Sequence, residues 1–442
     1  MKTPVDLLIE ARWIIPVEPA RVVLENHAVA VDKGRIVAIL RQSDAAARFS
    51  PAQTQTLAHH ILIPGLVNLH THAAMSLLRG IADDLPLQKW LTEYIWPVEA
   101  KHVSERFVRD GTTLACAEML LGGTTCFNDM YFFPKEAASS ALRLGMRAAI
   151  GLLVFDFPSA YAADADDYLN KNMQARDELK NEPLLSFCLA PHSPYTVGDP
   201  TFARVLTLAE QCDLPIHLHL HETLRETEES TRQFGVRPIE RLRRLGLLGP
   251  GLIAVHSVHL EPDEIALLAR HGCSVAHCPS SNLKLASGIA PIAALAEEGV
   301  NVGFGTDSAA SNNRLDLFSE MRLASLLAKA SSGNAEAVDT HQALHMATLG
   351  GARALGLGET IGSISVGKSA DLCAIRIDDL RLLPYYDAAS LLVYSAGREF
   401  VSDVWVAGEK RVENARLLGF DENELINSVS LWQNRLHPGR TP

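Results

Sequence analysis

Five residues of this chain, His70, His72, His219, His256 and Asp307, each stand at the end of a short run of strand-forming residues. Imidazole nitrogens and carboxylate oxygens are the donors that Zn²⁺ or Fe²⁺ takes at sites that keep one position open for water. The implied chemistry is hydrolysis assisted by a divalent ion.

In His70-Thr-His72 the two imidazoles are two residues apart on a strand, so they face the same way and can reach one ion. Histidines at this spacing also occur on ordinary surfaces. The preceding Ile63-Pro-Gly-Leu-Val-Asn68 reads as the entry to a buried strand, which places the pair at that strand's carboxyl end. In Pro215 to Glu222, His217, His219 and His221 alternate with Ile216, Leu218 and Leu220, giving one histidine face and one aliphatic face. His217 and His221 read as hydrogen-bonded interior or rim residues. His219 lies one layer nearer the strand end and is the better ligand, with Glu222 just beyond it as a proton shuttle. His256, in Val255-His-Ser-Val-His259, reads equally well as a core histidine or a functional one. Asp307, in Gly303-Phe-Gly-Thr-Asp307-Ser308, is a carboxylate whose unpaired burial would cost free energy that a nearby cation removes. Asp129 also ends a run but has no histidine partner, and reads as structural.

The elements that must position these residues are eight short apolar runs. They are Gly65 to His70, Thr124 to Met130, Arg147 to Val154, Leu185 to His192, Pro215 to His221, Gly251 to Val258, Ser274 to His277 and Asn301 to Asp307. Amphipathic segments of helical length separate them, among them Ser104 to Leu121, Asp199 to Gln211, Glu261 to His271 and Ile289 to Gly299. Eight such units over about 290 residues match an α/β chain folded as a (β/α)₈ TIM barrel, whose active site gathers at the carboxyl ends of its strands. Before Ile63 the texture is β, with a turn at Asp32-Lys-Gly, and it returns to β in Gly362 to Ile377 and Val401 to Lys410. The expected organisation is residues 1–63 and 361–442 forming a small composite β domain and tail, with residues 64–360 as the catalytic barrel.

Composition narrows the function classes. The chain has 442 residues, 47% hydrophobic and 21% charged, as in ordinary globular proteins with a sizeable core. A net charge of −12 argues against nucleic acid as a partner, and Arg241, Arg243 and Arg244 read as a solvated helix face. Seven scattered cysteines without a CxxC pair suit reduced cytosolic thiols. No stretch approaches the ~20 apolar residues of a membrane span, so the cytoplasm is the expected address.

Together, Pro64-Gly-Leu-Val-Asn-Leu-His70-Thr-His72, Leu77-Leu-Arg-Gly80, Pro191-His192-Ser-Pro-Tyr195, His219-Leu-His-Glu222, Ala254-Val-His256-Ser-Val-His-Leu260, Ser281-Asn-Leu-Lys-Leu285 and Gly305-Thr-Asp307 resemble the amidohydrolase superfamily. Within it they are most similar to the 5′-methylthioadenosine/S-adenosylhomocysteine deaminase branch. The resemblance spans nearly the whole chain. It implies one divalent metal held by His70, His72, His219 and Asp307, with Zn²⁺ first and Fe²⁺ or Mn²⁺ suited to similar donors. It also implies Glu222, His256 and Asp307 as catalytic residues, and Glu99, His192 and Glu222 as substrate contacts. Binuclear relatives usually bridge two metals with a modified lysine on the fourth strand, and Leu185 to His192 contains no lysine.

The implied reaction is hydrolytic deamination of the adenine ring of 5′-methylthioadenosine, with adenosine and S-adenosylhomocysteine as further candidates. The ion would acidify a water to about neutrality. Asp307 would take its proton, His256 would orient it, and Glu222 would protonate purine N1 as C6 is attacked, releasing ammonia. The paired-cysteine signature of the other nucleobase deaminases is absent. Glu99 could accept hydrogen bonds from both ribose hydroxyls, although its own surroundings in sequence read as a helix-surface charge. Members that accept S-adenosylhomocysteine well can carry arginines after the third strand, and Ile150 to Tyr161 holds none. An aliphatic and aromatic wall there favours a methylthio group over a charged tail. Two alternatives stay open: an aminohydrolase for another ring such as guanine, 8-oxoguanine or a chlorotriazine, and a catalytically silent scaffold of the same fold. The intact set of His70, His72, His219, Asp307 and Glu222 argues against the silent scaffold. Amphipathic helices on the barrel exterior, with the family analogy, make a homo-oligomer the expected assembly.

Overall fold

The computed structural model describes residues 2–436. It opens with four strands, β1 (Thr3–Ile14), β2 (Leu24–Asp32), β3 (Arg35–Arg41) and β4 (Phe49–Pro64). Lys33 and Gly34, with φ of 48° and 74°, make the two-residue turn between β2 and β3, a backbone whose twist suits a tight hairpin. β1 pairs antiparallel with β2 and parallel with β4.

The chain then builds β5 (Leu66–Thr71), β6 (Thr124–Tyr131), β7 (Arg147–Val154), β8 (Leu185–Pro191), β9 (Ile216–Leu220), β10 (Leu252–His256), β11 (Ser274–His277) and β12 (Asn301–Phe304). These eight strands are parallel neighbours in chain order, and the helices between them make the whole a (β/α)₈ barrel. Nearly every strand residue is buried, as expected where one face meets helices and the other fills the interior. The helices begin where capping side chains stand: Ser104 Oγ accepts the Phe107 N–H before Glu105–Leu121, and Thr223 accepts the Glu226 N–H before Leu224–Phe234. The expected helix from Ile289 begins only at Ile292, because Pro291 keeps the preceding residue out of helical geometry, and it ends at Glu297.

Four C-terminal strands, β13 (Leu372–Arg376), β14 (Val401–Val406), β15 (Glu409–Glu413) and β16 (Arg416–Leu417), join the first four in one sheet. The two termini meet where β13 pairs antiparallel with β4, from Leu372 opposite Pro64 to Arg376 opposite His60. Gly362 and Gly367 take φ of 86° and 95°, so the stretch before Leu372 turns instead of extending as a strand. Gly65 is the crossing point from this sheet to the barrel. A Cβ there would lie 2.1 Å from Thr125 Oγ1, so only glycine lets β5 close against β6. A buried pair ties the two bodies together: the Arg147 guanidinium, at the start of β7, grips both Asp371 oxygens at 2.9 and 3.1 Å. The last helix, Glu422–Leu436, packs on the barrel helix Glu105–Leu121, where Trp432 Nε1 donates to Asp110 at 2.7 Å. Among the described residues no helix is long and apolar enough to cross a membrane.

β12 and β5 close the barrel without a regular ladder. Asn68 bridges them instead: its Oδ1 accepts the Thr306 N–H at 3.0 Å and its Nδ2 donates to Thr306 Oγ1 at 2.8 Å. Asp307 N–H then donates to the His70 carbonyl at 3.0 Å. Gly305 makes this approach tolerable, since a Cβ there would sit 2.8 Å from the His70 Cβ.

Candidate metal centre and active site

The carboxyl ends of the strands bring the predicted donors together. The ligand atoms of His70, His72 and His219 all lie within 4.8 Å of one another. Asp307 Oδ1 stands 3.4 Å from His70 Nε2 and 3.3 Å from His72 Nε2. Bonds of about 2.0–2.1 Å to a tetrahedral ion would separate donors by about 3.3 Å, so these spacings fit one ion.

Each imidazole is fixed through its other nitrogen. His72 Nδ1 pairs with the Met130 carbonyl at 2.6 Å, His219 Nδ1 with the His192 carbonyl at 2.8 Å, and His70 Nδ1 with His217 Nε2 at 3.0 Å. A proton on Nδ1 leaves the Nε2 lone pair free for a metal, the usual arrangement of a ligating histidine. His70 Nε2 is buried and has no hydrogen-bond partner among the described residues, which is costly unless an ion takes the lone pair. Burial also holds His70 down to about 4 and His219 well below the usual histidine range, so both are neutral ligands at pH 7. Burial opposes ionisation of Asp307, but the close approach of His70, then of His72 and His256, outweighs it and holds the carboxyl well below its ordinary value. Its second oxygen accepts from Ser281 at 2.6 Å and Ser311 at 2.8 Å, which leaves Oδ1 to face the histidines. The donor set therefore suits a divalent metal.

His256 and Glu222 stand beside this cluster. His256 Nδ1 pairs with Asn282 Oδ1 at 2.8 Å, and its Nε2 lies 3.8 Å from Glu222 Oε2. Burial first, then the charge of Asp307, pushes the Glu222 carboxyl up to about 8. At neutral pH it is therefore a protonated acid that can donate. The loop that presents it is pinned by Glu226, whose two oxygens accept the N–H groups of His221 at 2.8 Å and Glu222 at 2.9 Å. His221, His256, Ser257 and Asp307 all have φ between 50° and 69°. Such left-handed backbone at non-glycine residues is costly and persists where surrounding contacts enforce it.

These groups open into one cavity of about 480 Å³. Glu99, half-buried on the helix Trp96–His102, lines it, and its Oε1 accepts from Tyr131 at 2.6 Å. Burial pushes this carboxyl up to about 7 against the opposing effect of the Tyr131 hydrogen bond. His192 lines the cavity with its Nδ1 turned to Ser193 and Thr196 and its ring 4.7 Å from Phe155. Aromatic and aliphatic side chains, including Trp90, Phe155, Phe157 and Leu153, form the remaining wall. No arginine or lysine lines it among the described residues. Asp129 lies outside the donor cluster and accepts the Ala73 N–H at 2.8 Å, a structural contact. His217 is buried beneath His70, and His221 is held by the Ile239 N–H and the His259 carbonyl.

Sequence reasoning passed over Asn282, Ser281, Ser311, Tyr131 and Glu226 as partners of these groups. Ser281 and Asn282 lie inside the Ser281-Asn-Leu-Lys-Leu285 motif, and Glu226 sits four residues after Glu222; Tyr131, one residue past the expected strand end, carried no signal of its own.

A barrel with three histidines and an aspartate converging at its mouth is the architecture of a metal-dependent hydrolase. A family model described as "Amidohydrolase family" matches residues 61–411, and the chain belongs to that family. It is 45% identical to a 5-methylthioadenosine/S-adenosylhomocysteine deaminase of Teredinibacter turnerae over 98% of each chain. The protein of the same name from Saccharophagus degradans is 44% identical over 99% of this chain and 98% of its own. Among solved structures, an adenosine deaminase from Xanthomonas campestris with bound zinc superposes with a TM-score of 0.98, at 51% identity and 99% coverage of both chains. An atrazine chlorohydrolase from Arthrobacter aurescens complexed with zinc shares the fold, with a TM-score of 0.89 at 24% identity over 96% of this chain and 99% of its own.

Proposed function

We propose that the chain deaminates the adenine ring of 5′-methylthioadenosine by hydrolysis, giving the inosine analogue and ammonia, with Zn²⁺ held by His70, His72, His219 and Asp307. The observation that carries this reading is a buried carboxyl, Glu222, beside His256 and the His/Asp donor cluster in one cavity. When bound, the ion supplies a water acidified to about neutrality. Asp307 accepts the proton of the attacking water. His256 orients that water through Nε2. Glu222 donates to purine N1 as C6 is attacked, which makes the ring carbon electrophilic and lets the amino group leave. Glu99 accepts from the ribose hydroxyls and His192 contacts the nucleoside. The relatives named above support the adenine nucleoside class, and the zinc in the Xanthomonas structure supports the choice of metal.

The wall without arginine or lysine supports 5′-methylthioadenosine over S-adenosylhomocysteine, whose carboxylate would lose solvation there. Adenosine is the second reading, favoured by the name of the 51% identical structure. A panel of 5′-methylthioadenosine, adenosine, S-adenosylhomocysteine, guanine and cytosine tests both. The expected result is the highest kcat/KM for 5′-methylthioadenosine, with S-adenosylhomocysteine about tenfold or more below it, the effect of about 1.4 kcal/mol. Turnover of guanine above the adenine nucleosides would overturn the assignment.

A further inference from the structure

Ser281 and Asn282 are neighbours on the short helix Pro279–Lys284, yet each reaches a different group of the centre. Ser281 Oγ donates to Asp307 Oδ2 at 2.6 Å, and Asn282 Oδ1 pairs with His256 Nδ1 at 2.8 Å. Both side chains are buried and neither lines the cavity. His256 ends β10 and Asp307 follows β12, so one dipeptide ties groups from two strands to a common base. That base is itself held. Glu320 accepts the Ser280 N–H at 3.0 Å and Asn312 Nδ2 at 2.8 Å, and Lys284 Nζ donates to the Ala310 carbonyl at 3.2 Å.

We propose that Ser281 and Asn282 are positioning residues with separate tasks. Ser281, with Ser311 Oγ at 2.8 Å from the same oxygen, turns the Asp307 carboxylate so that Oδ1 faces His70 and His72. Asn282, acting as an acceptor, keeps the His256 proton on Nδ1, so that the Nε2 lone pair faces the attacking water. With its amide reversed, Asn282 would donate to Nδ1 and force the proton onto Nε2, leaving no lone pair there to accept from the attacking water. Among the described residues Asn282 Nδ2 has no hydrogen-bond partner, so no contact competes with the acceptor orientation. The proposal rests on the roles of Asp307 and His256 given above.

The test uses the zinc-loaded chain and the variants Ser281→Ala, Asn282→Ala and Asn282→Asp, the last a near-isosteric acceptor that also controls for folding. Zinc affinity is read by chelator competition, the His256 tautomer by its nitrogen-15 chemical shifts, and kcat and KM with 5′-methylthioadenosine. Ser281→Ala is expected to weaken zinc binding about tenfold, as loss of a partner behind a ligand does. Asn282→Ala is expected to keep zinc affinity and KM but lower kcat about 100-fold, the scale of a misplaced proton-transfer partner. Asn282→Asp restores kcat to within about tenfold of the parent and keeps the proton on Nδ1. An Asn282→Asp variant that binds zinc normally yet is as slow as Asn282→Ala overturns the acceptor role. Unchanged zinc affinity in Ser281→Ala overturns the other half. If the parent turned over no adenine nucleoside, the functional reading would fall, while zinc affinity and nitrogen shifts would still decide this proposal.

Discussion

Asp307 donates its backbone N–H to the carbonyl of His70 at 3.0 Å, across the seam where β12 meets β5. The same two residues face each other through Oδ1 and Nε2 at 3.4 Å. Barrel closure and the donor set are thus one piece of structure, and what loosens the seam moves a ligand.

Asn68 holds that seam with two buried hydrogen bonds to Thr306. Asn68→Ala leaves the Thr306 N–H without a partner, a cost of about 1–3 kcal/mol. Zinc affinity should fall along with stability. Denaturant unfolding and chelator competition on one preparation check this; a stability loss with unchanged zinc affinity would uncouple closure from the centre.

Glu99 gives a pH signature. Its carboxyl is raised to about 7, chiefly by burial, and in the role proposed for it, accepting from ribose hydroxyls, it acts best when ionised. The kcat/KM for 5′-methylthioadenosine should therefore show a rising limb up to about 7, before falling above about 8 where Glu222 loses the proton it must donate. A 2′,3′-dideoxy nucleoside lacks the hydroxyls and should show no such rising limb. The sign for stability is opposite: the folded state keeps this proton longer than the unfolded chain, so the group's contribution weakens as pH rises from 4.5 to about 7. Identical profiles for both nucleosides would assign the limb to another group.

Much of this arrangement was readable beforehand because it is periodic. The eight runs start within a residue of the observed strands, since a strand buried on both faces is a continuous apolar run with turn residues at its ends. His70, His72, His219 and Asp307 could be grouped because they share the strand-end position. Their supports were not readable in the same way. Tyr131 meets Glu99 from a strand and a helix that precedes it, and Asn282 meets His256 from the next connection, so no local spacing marks either pair. The stretch from Gly362 alternates like a strand, yet two glycines with positive φ fold it into turns before Leu372.

The Arg147–Asp371 pair makes a prediction about stability alone. Both side chains are buried, and removing one charge strands the other. Asp371→Asn should cost about 3–5 kcal/mol, whereas replacing both residues by apolar ones of similar volume should cost far less. Urea midpoints of the single and double variants measure it. Equal loss in both would mean that packing, rather than the stranded charge, sets the effect.

Hydrolytic deamination at purine C6 with Glu222 as the acid is the reaction proposed for this site. The most direct measurement is turnover of 5′-methylthioadenosine by the zinc-loaded chain in water labelled with oxygen-18, following product mass and ammonia together. One labelled oxygen at C6 and one ammonia per nucleoside consumed are expected, with Glu222→Gln slower by about 10²–10⁴ and its zinc content unchanged. A zinc-loaded chain that releases no ammonia, or a Glu222→Gln variant with full turnover, would contradict the proposed reaction.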